Sequence, residues 1–355
     1  MEGLGIYPVS TFWAGKRVLV TGHTGFKGSW LSTWLQELGA HVYGLALAPV
    51  TDPSLFDELG LAGVIDHKVG DIRDAETVTD RVKNARPDVV FHLAAQPLVL
   101  ASYAEPLVNW DANVMGTAHV LDALRKLQKP CAAVMITTDK VYENPDSGEA
   151  FAENARLGGH DPYAASKAAC EILISSYRAS FFGDHPVRVT SARAGNVIGG
   201  GDWAENRILP DIIRALAAGQ PIPVRNPTAT RPWQHVLEPL SGYLRLAEAA
   251  YTGAPHAPAY NFGPDPDDTR PVRDVVETAL QTWPGSWEDR SDPKAHKESK
   301  NLSLSIDLAK RDLGYSPRWA FDEGVARTVR WYKAVTEGGD AAAIIRSQIR
   351  DFGAP

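Results

Sequence analysis

The chain has 355 residues, of which 44% are hydrophobic and 22% are charged, and its formal net charge is −7. That length suits one large domain or two domains that share an interface. The acidic balance argues against nucleic-acid-binding and membrane-surface proteins, which usually carry a basic face. The two cysteines, Cys131 and Cys170, are too few for a disulfide framework or a cysteine-rich metal site.

Residues 1–12 lack the pattern of a signal peptide, and the sequence contains no run of about 18 apolar residues. We therefore expect a cytoplasmic protein that binds neither a membrane nor nucleic acid. We also expect no metal site.

Short β-rich runs alternate with segments of helical periodicity through the first half of the chain. Strands are predicted over residues 17–20, 41–47, 64–70, 89–93, 132–137 and 187–192. Helices are predicted over residues 31–38, 113–127 and 163–182. Alternating strands and helices imply right-handed βαβ units. The sequence therefore predicts an α/β fold with a doubly wound parallel sheet of the Rossmann type.

After residue 194 the sequence changes character, because glycine and proline become frequent and the helices are expected to be shorter and interrupted. We predict a first domain over residues 1–194 and a smaller, mixed domain over residues 195–355, part of which returns to the sheet. Two-domain enzymes of this kind usually bind a second substrate in the cleft between the parts. Residues 263–268 are predicted to form a surface loop.

A glycine-rich turn with the spacing GxxGxxG joins the first predicted strand to the first predicted helix. Glycines there let the backbone approach a pyrophosphate, whose charge then lies at a helix N-terminus. A tight turn without a ligand is the alternative, and the position between a strand and an amphipathic helix weighs against it. Residues 1–194 are thus predicted to bind a dinucleotide. The candidate residues of the turn are Gly22, His23, Thr24, Gly25, Phe26, Lys27 and Gly28.

The second predicted strand lacks the carboxylate that normally holds the adenosine ribose. It runs into Ala48, and the nearest acid is Asp52. His23 and Lys27 also place bulky or basic groups in the turn. Either NAD is bound loosely, or the site tolerates the 2′-phosphate of NADP, and the sequence does not choose between these alternatives.

Tyr163 and Lys167 have the spacing YxxxK within a predicted helix. Residues four apart share one helix face, so we expect the ammonium to lie beside the phenol. A free tyrosine, with a pKa of about 10, is a poor base at neutral pH, and a neighbouring cation favours the phenolate. YxxxK alone is common on ordinary helix faces. Its place after a glycine turn in a βαβ chain favours a role in proton transfer.

Thr138, Asp139 and Lys140 follow a predicted strand, at the carboxyl edge where doubly wound sheets keep their ligands. Thr138 can hydrogen-bond a substrate hydroxyl, and Asp139 and Lys140 are an adjacent acid and base. Elimination of water needs one group to protonate the departing hydroxyl and another to remove a carbon-bound proton. An oxidation alone needs no such pair. The alternative is a solvated Asp–Lys pair in a turn.

Together with these motifs, several stretches make the chain resemble the extended short-chain dehydrogenase/reductase family, in its branch of CDP-sugar 4,6-dehydratases. The resemblance covers nearly the whole chain and is least informative at its C-terminal end. The stretches are residues 15–30, 53–56, 70–73, 91–97, 113–117, 193–203 and 231–239.

The resemblance implies a lyase that converts CDP-glucose to CDP-4-keto-6-deoxyglucose and water with NAD as cofactor. It implies that Tyr163 takes the proton of the sugar 4-hydroxyl while hydride passes from C4 to NAD. Lys140 would then remove the C5 proton, Asp139 would protonate the departing 6-hydroxyl, and the hydride would return to C6. Related dTDP-glucose dehydratases have Asp-Glu where this chain has Asp139-Lys140, so a lysine must lose its proton to serve as the base here.

The resemblance also implies a homodimer or homotetramer and further binding residues. Asp71 and Ile72 would flank the adenine, Asn113 would support the active-site helix, and arginine forks would suit a pyrophosphate. The further cofactor positions are Asp71, Ile72, Leu93, Ala94, Ala95, Gln96, Asn113, Thr137, Tyr163 and Lys167. The substrate positions are Gln96, Thr138, Asn196, Trp203, Arg207, Arg225, Arg231 and His235.

Two other enzymes and one non-enzyme remain as alternatives. A nucleotide-sugar 4-epimerase shares the glycine turn, Thr138, Tyr163 and Lys167, but it needs no acid–base pair for elimination. A dehydratase for a different nucleotide-sugar would differ in the base that it reads, which the residues alone do not identify. A catalytically silent Rossmann module would have little reason to keep the threonine, tyrosine and lysine together.

Overall fold

The described part of the chain, residues 11–265, 268–291 and 302–353 of a computed structural model, is built around one large parallel sheet. Its central strands are rich in valine and other apolar residues, and they are buried on both faces. The strands are β1 (Arg17–Thr21), β2 (His41–Ala46), β3 (Asp66–Val69), β4 (Val89–His92), β5 (Cys131–Ile136), β6 (Val187–Ala194), β7 (Val197–Ile198), β8 (Ile222–Val224), β9 (Thr230–Pro232), β10 (Gln234–His235), β11 (Ala259–Phe262), β12 (Thr269–Pro271) and β13 (Trp287–Asp289).

Helices cover both faces of this sheet and form most of the rest of the described chain. Short 3₁₀ turns lie at Leu61–Gly63 and Asp139–Val141, and a π-helical turn lies at Asp111–Met115. The α-helices are α1 (Phe26–Glu37), α2 (Leu55–Glu58), α3 (Ala75–Ala85), α4 (Val99–Ala104), α5 (Pro106–Trp110), α6 (Gly116–Arg125), α7 (Pro162–Phe181), α8 (Ile208–Ala217), α9 (Leu237–Thr252), α10 (Val272–Thr282), α11 (Asp307–Leu313), α12 (Phe321–Thr336) and α13 (Ala341–Gly353).

The main sheet has seven strands in the order β11-β6-β5-β4-β1-β2-β3, and every neighbouring pair is parallel. The prediction of a doubly wound parallel sheet is therefore confirmed. The strand order reverses between β1 and β4, which is where such sheets open a crevice for a ligand. None of the described helices is long and apolar enough to cross a membrane.

Two apolar clusters pack on the opposite faces of the sheet, because successive strand residues point to opposite sides. Val20, Phe91 and Val134 face one cluster, which also contains residues of α1, α9 and α12. Leu19 and Val90 face the other cluster, which contains residues of α3, α6 and α7. The strand ends of β1, β4 and β5 are thus held rigidly at one edge.

The chain after residue 194 differs in part from the expectation. Its helices are not short, since α9 and α12 have 16 residues each. Many of the glycines and prolines lie in the connections, α8 and α9 each contain a proline, and apolar residues at helical spacing continue between them. β11 pairs with β6 and extends the main sheet. The predicted loop 263–268 lies only partly within the described residues.

Helix α7 begins at a strong start signal, which places Tyr163 at the sheet edge. The side chain of Asp161 accepts a hydrogen bond from Ala164 N at 2.8 Å, and Pro162 occupies the first helical position. Tyr163 therefore lies in the first turn, and Lys167 lies one turn further along the same face.

Candidate active site

The glycine turn lies in the crevice between β1 and β4. Gly22 has φ +76°, and a Cβ there would come within 2.7 Å of Ala94 N, so this turn accepts only glycine without a shift of the backbone. A Cβ on Gly28 would lie 2.1 Å from Gly22 O. These glycines let the turn fold tightly against the start of α1.

The N-terminus of α1 is suited to a pyrophosphate. Gly25 is the N-cap in extended conformation, and it has no side chain to occupy the free N–H groups of the first turn. A helix end of this kind attracts anions through those N–H groups and the helix dipole. The turn therefore fits the dinucleotide that the sequence predicts, through its backbone rather than through charged side chains.

His23 and Lys27, the two unusual residues of the turn, point in different directions. The ring of His23 is fully buried beside Gly44, and its Nε2 lies 2.7 Å from His67 Nδ1. Burial lowers the pKa of His23 to about 3, with the charges of His67 and Arg81 acting in the same direction. This side chain packs under the sheet, so only the backbone of His23 is available to a cofactor.

Lys27 instead reaches the catalytic end of the sheet. Burial and the charge of Arg207 lower its pKa to about 8, Asp139 opposes this change, and Lys167 adds to it. The side chain therefore belongs to a cluster of charges around Asp139, a placement that its position in the turn does not reveal.

Asp139 is a buried acid. Its side chain is 2% exposed, Thr138 Oγ1 donates to Oδ1 at 2.9 Å, and Oδ2 has no hydrogen-bond partner among the residues that the structure describes. Burial raises the pKa of Asp139, although Lys140, Thr138 and Arg231 oppose the rise. A Cβ on Gly195 would lie 2.9 Å from Oδ2, so the glycine makes room for the carboxyl. The group is poised to hold and donate a proton.

Thr138 also orders the short turn that carries Asp139 and Lys140. It is the N-cap of the 3₁₀ turn, and its Oγ1 accepts from Lys140 N at 3.4 Å. Lys140 is half-buried beside Asp139. The structure thus brings together the acid, the lysine and the threonine that the sequence predicts at this edge.

Tyr163 and Lys167 are both buried on α7, four residues apart on one helix face. Tyr163 hydrogen-bonds Thr138, and Lys167 Nζ donates to Ile136 O at 3.3 Å. Burial raises the pKa of Tyr163 to about 12; Thr138 and the charge of Arg207 oppose this rise, whereas Asp139 adds to it. Arg207 is therefore a cation whose charge favours ionisation of the Tyr163 phenol in this structure.

Asn113 joins the strand β4 side of the site to α7. Its Oδ1 accepts from Gln96 N at 2.8 Å, and its Nδ2 donates to Ser166 Oγ at 2.9 Å. The side chain of Gln96 is engaged with its own loop, since Oε1 accepts from Leu98 N at 2.5 Å. Asn113 is thus hydrogen-bonded to α7, and its role in supporting the active-site helix remains a prediction.

The remaining predicted cofactor residues follow the ends of β3 and β4: Asp71 and Ile72 are predicted for the adenine, and Leu93, Ala94 and Ala95 for the nicotinamide side. Ala94 N donates to Thr21 Oγ1 at 3.2 Å, and Leu93 and Ala95 flank it in a half-buried loop. Asp71 accepts from Arg73 at 2.6 Å, and Ile72 is buried next to it. The cofactor roles of these residues remain predictions.

Two of the predicted substrate residues, Arg207 and Arg225, pair with polar side chains of the segment around α8. Arg207 Nη1 donates to Asp202 Oδ2 at 2.8 Å, and Arg225 Nη1 donates to Asn206 Oδ1 at 2.8 Å. Asn206, Arg225 and Asp211 line a cavity of about 590 Å³. Arg225 therefore lines this cavity, whereas the charge of Arg207 acts on Tyr163.

The structure gives Trp203, Arg231 and Asn196 different surroundings. Trp203 Nε1 donates to Glu58 Oε2 at 3.4 Å, and the charge of Arg231 acts on Asp139. Asn196 O accepts from Gln234 N at 3.1 Å, and the Asn196 side chain is half-buried.

His235 is the exception among the predicted substrate residues. Its ring is fully buried, with centroid distances of 5.5 Å to Trp30 and 4.8 Å to Trp319, both edge-on. Burial lowers its pKa to about 3. Since the ring packs in the core between two tryptophans, the prediction that His235 contacts the substrate does not hold in this structure.

Sequence reasoning missed Glu171 and Arg193, which form a buried ion pair directly behind the site. The available signal was spacing, because Glu171 follows Lys167 by one helical turn and is a charged residue on a buried helix face. Among the described residues, no group of three or more His, Cys, Asp and Glu side chains is placed to hold a metal ion.

Residues 18–263 match the NAD dependent epimerase/dehydratase family. The chain belongs to this family. It is 44% identical over 349 residues to the CDP-glucose 4,6-dehydratase of Salmonella typhimurium, with 96% of this chain and 97% of the relative covered. It is 33% identical over 329 residues to a dTDP-glucose 4,6-dehydratase of Streptomyces antibioticus, with 89% and 92% covered.

Solved structures of related enzymes share the fold. A UDP-glucose-4-epimerase from Stenotrophomonas maltophila with bound NAD superposes with a TM-score of 0.80 at 22% identity, covering 91% of this chain and 100% of the epimerase. A dTDP-glucose 4,6-dehydratase from Bacillus anthracis in complex with NAD gives a TM-score of 0.75 at 20% identity, covering 91% and 98%. The predicted membership of the extended short-chain dehydrogenase/reductases is confirmed, and the chain is an NAD-dependent enzyme of the epimerase/dehydratase type.

Proposed function

We propose that the chain is a CDP-glucose 4,6-dehydratase that forms CDP-4-keto-6-deoxyglucose and water. The observation that carries this proposal is Asp139, a buried acid whose pKa is raised by burial and whose Oδ2 has no hydrogen-bond partner in the described part of the chain. A departing hydroxyl needs a proton donor of this kind, whereas an epimerase does not. The 44% identity to the Salmonella typhimurium enzyme supports the same choice and is the basis for CDP as the nucleotide.

The proposed roles follow the proton transfers of the reaction. Tyr163 removes the proton of the sugar 4-hydroxyl, with Thr138 holding that oxygen. Lys140 removes the proton on C5, which the neighbouring C4 ketone has made acidic. Asp139 then protonates the 6-hydroxyl as water departs. NAD, when bound, would supply the acceptor for the hydride that leaves C4 and the donor of the hydride that arrives at C6.

The residues of this chain that would hold NAD are those of the glycine turn, residues 22–28, together with Lys167 and the residues at the ends of β3 and β4. The unshielded N-terminus of α1 suits the pyrophosphate. Ala48 leaves the ribose without the usual carboxylate, so we expect weaker retention of NAD than in enzymes that have one.

The test is turnover with CDP-, dTDP-, UDP- and GDP-glucose, each with NAD or NADP. We expect the ultraviolet absorbance of a 4-keto sugar in base with CDP-glucose and NAD. A C4 epimer in place of that product would identify an epimerase, and faster turnover of dTDP-glucose would assign a different nucleotide. No product from CDP-glucose with either cofactor would reject the dehydratase proposal.

We also propose that the enzyme forms a homodimer through the face made by α4, α5, the π-helical turn and α7. This face exposes several large apolar side chains, including Leu107, which is 82% exposed. A contiguous apolar patch on neighbouring helices is typical of a self-complementary interface. The residues are Leu100, Tyr103, Leu107, Val108, Trp110, Met115 and Ile172.

Light scattering after size-exclusion chromatography tests this interface. The Leu107→Asp variant is expected to shift the protein toward monomer, because a carboxylate would be buried without a partner. Val50→Asp is the matched control, since Val50 is 90% exposed and lies outside the patch. Equal masses for both variants would place any interface elsewhere.

A further inference from the structure

Glu171 and Arg193 form an ion pair in the interior, directly behind the catalytic residues. Arg193 Nη2 lies 2.8 Å from Glu171 Oε2, and the two side chains are 5% and 4% exposed. Glu171 lies on α7, and Arg193 lies near the end of β6. A buried ion pair contributes little net stability compared with apolar packing, so its position calls for a functional reason.

The carboxylate of Glu171 holds the end of β5. Thr137 Oγ1 donates to its Oε1 at 2.5 Å, and Ser191 Oγ donates to its Oε2 at 2.9 Å. Burial alone would raise the pKa of Glu171, yet the hydrogen bond and charge of Arg193, with the two hydroxyls, hold it below its usual range. The Glu171 carboxylate is therefore ionised, and it accepts a hydrogen bond from the residue that immediately precedes Thr138.

Arg193 holds the other end of the catalytic turn. Its Nη1 donates to Tyr142 Oη at 2.8 Å and to Glu153 O at 2.9 Å. Tyr142 Oη in turn donates to Asn261 Oδ1 at 2.7 Å, on β11. Thr137 and Tyr142 thus flank residues 138–141, and each of the two is hydrogen-bonded to one member of the same ion pair.

Glu171 also provides negative charge near Lys167. The two residues are one helical turn apart on α7. Burial lowers the pKa of Lys167, and the charges of Cys170 and Glu171 oppose this change. The other titratable groups that act on or with Lys167 are His92 of β4, which burial keeps neutral, and Lys27 of the glycine turn.

We propose that Glu171 and Arg193 are positioning residues of the active site: together they fix the turn that carries Thr138 and Asp139 against α7, and Glu171 supplies the counter-charge of Lys167. The positioning part rests on the proposed function, since it concerns the same catalytic groups. The counter-charge part requires only that Lys167 contacts NAD.

The first test measures the affinity for NAD as a function of pH in the absence of sugar. Tryptophan fluorescence reports the binding. Affinity is expected to fall at alkaline pH as Lys167 loses its proton. In Glu171→Gln the negative charge one helical turn from Lys167 is gone and Arg193 remains, so the fall moves to lower pH by about one unit. Because Lys27 has a pKa of about 8, the series is repeated in Lys27→Met, where the same displacement is expected.

Two further variants separate charge from position. The double variant Glu171→Gln/Arg193→Gln removes both charges. The pH at which the affinity for NAD falls is therefore expected to return toward the wild-type value, while kcat stays low. Arg193→Lys keeps the charge but cannot bridge Tyr142, Glu153 and Glu171 at once. It is expected to leave the alkaline fall in place and to lower kcat, with KM little changed.

Asp88→Asn is the matched control, since Asp88 pairs with Lys129 at 2.7 Å at the opposite edge of the sheet. If the affinity for NAD falls at the same alkaline pH in Glu171→Gln as in the wild type, the counter-charge role of Glu171 is overturned. Turnover of Arg193→Lys equal to that of Asp88→Asn would overturn the positioning role. If wild-type protein gives no 4-keto product, the proposed function fails, while the fluorescence series still decides the counter-charge.

Discussion

Tyr163→Phe is expected to lower the turnover of CDP-glucose by about 10³-fold, the range found when a general base is removed. The phenol is buried at the sheet edge beside Thr138, and burial raises its pKa to about 12. At neutral pH the phenol of the free protein therefore holds its proton. The base form becomes more abundant as pH rises, so kcat/KM of the wild-type enzyme is expected to increase toward alkaline pH. The formation of the 4-keto sugar measures both effects.

Tyr163→Phe must also lose the removal of the C5 proton and the elimination of water, because no ketone forms to acidify the C5 proton. Glucose recovered from a reaction of Tyr163→Phe in deuterated water should therefore contain no deuterium at C5. Tyr315→Phe is the control, since Tyr315 is a buried tyrosine whose hydroxyl donates to Gly263 O at 3.0 Å. Near-normal turnover of Tyr163→Phe would remove Tyr163 from the role of base.

The sequence predicted what depends on short-range pattern. Strand and helix periodicity led to the parallel sheet, and a strand ending at Thr137 put Asp139 at the ligand edge. The spacing of Tyr163 and Lys167 placed both on one face of α7. These features follow from the local chain and from the rule that parallel strands end at the same edge.

Features that depend on distant parts of the chain were not predictable in the same way. Glu171 and Arg193 are 22 residues apart, and their pairing requires that α7 packs on β6. His235 resembled a ligand residue in sequence, but Trp30 and Trp319 enclose it from elements far away in the chain. The direction of Lys27 out of the glycine turn likewise depends on the packing around Asp139.

Asp139→Asn is expected to separate the first half of the reaction from the second. Asparagine can still accept the hydrogen bond of Thr138 that reaches Asp139 Oδ1 at 2.9 Å, but it has no proton for a departing hydroxyl. Dehydration should fall by about 10²–10⁴-fold. Exchange of the C5 proton with deuterated water should persist, since Tyr163 and Lys140 are intact. Lys140→Met should show the converse defect and lose this exchange; exchange that continues in Lys140→Met would refute Lys140 as the C5 base.

Stability provides a second and independent signature of the same acid. The folded protein raises the pKa of Asp139 by burial, so the folded state binds more protons than the unfolded chain as pH rises above about 4. The contribution of Asp139 to the free energy of unfolding is therefore present at low pH, and it is lost as pH rises through the pKa of Asp139 in the folded state. Asp139→Asn removes that loss, so its melting temperature should exceed that of the wild type by a margin that grows from about pH 4 up to the folded pKa and is constant above it. Asp88→Asn should do the opposite, because Lys129 and Arg17 N hold the pKa of Asp88 below its usual range despite burial. A melting temperature of Asp139→Asn that stays below the wild type at alkaline pH would show that the carboxylate is stabilised in place, and Asp139 could not then be the proton donor.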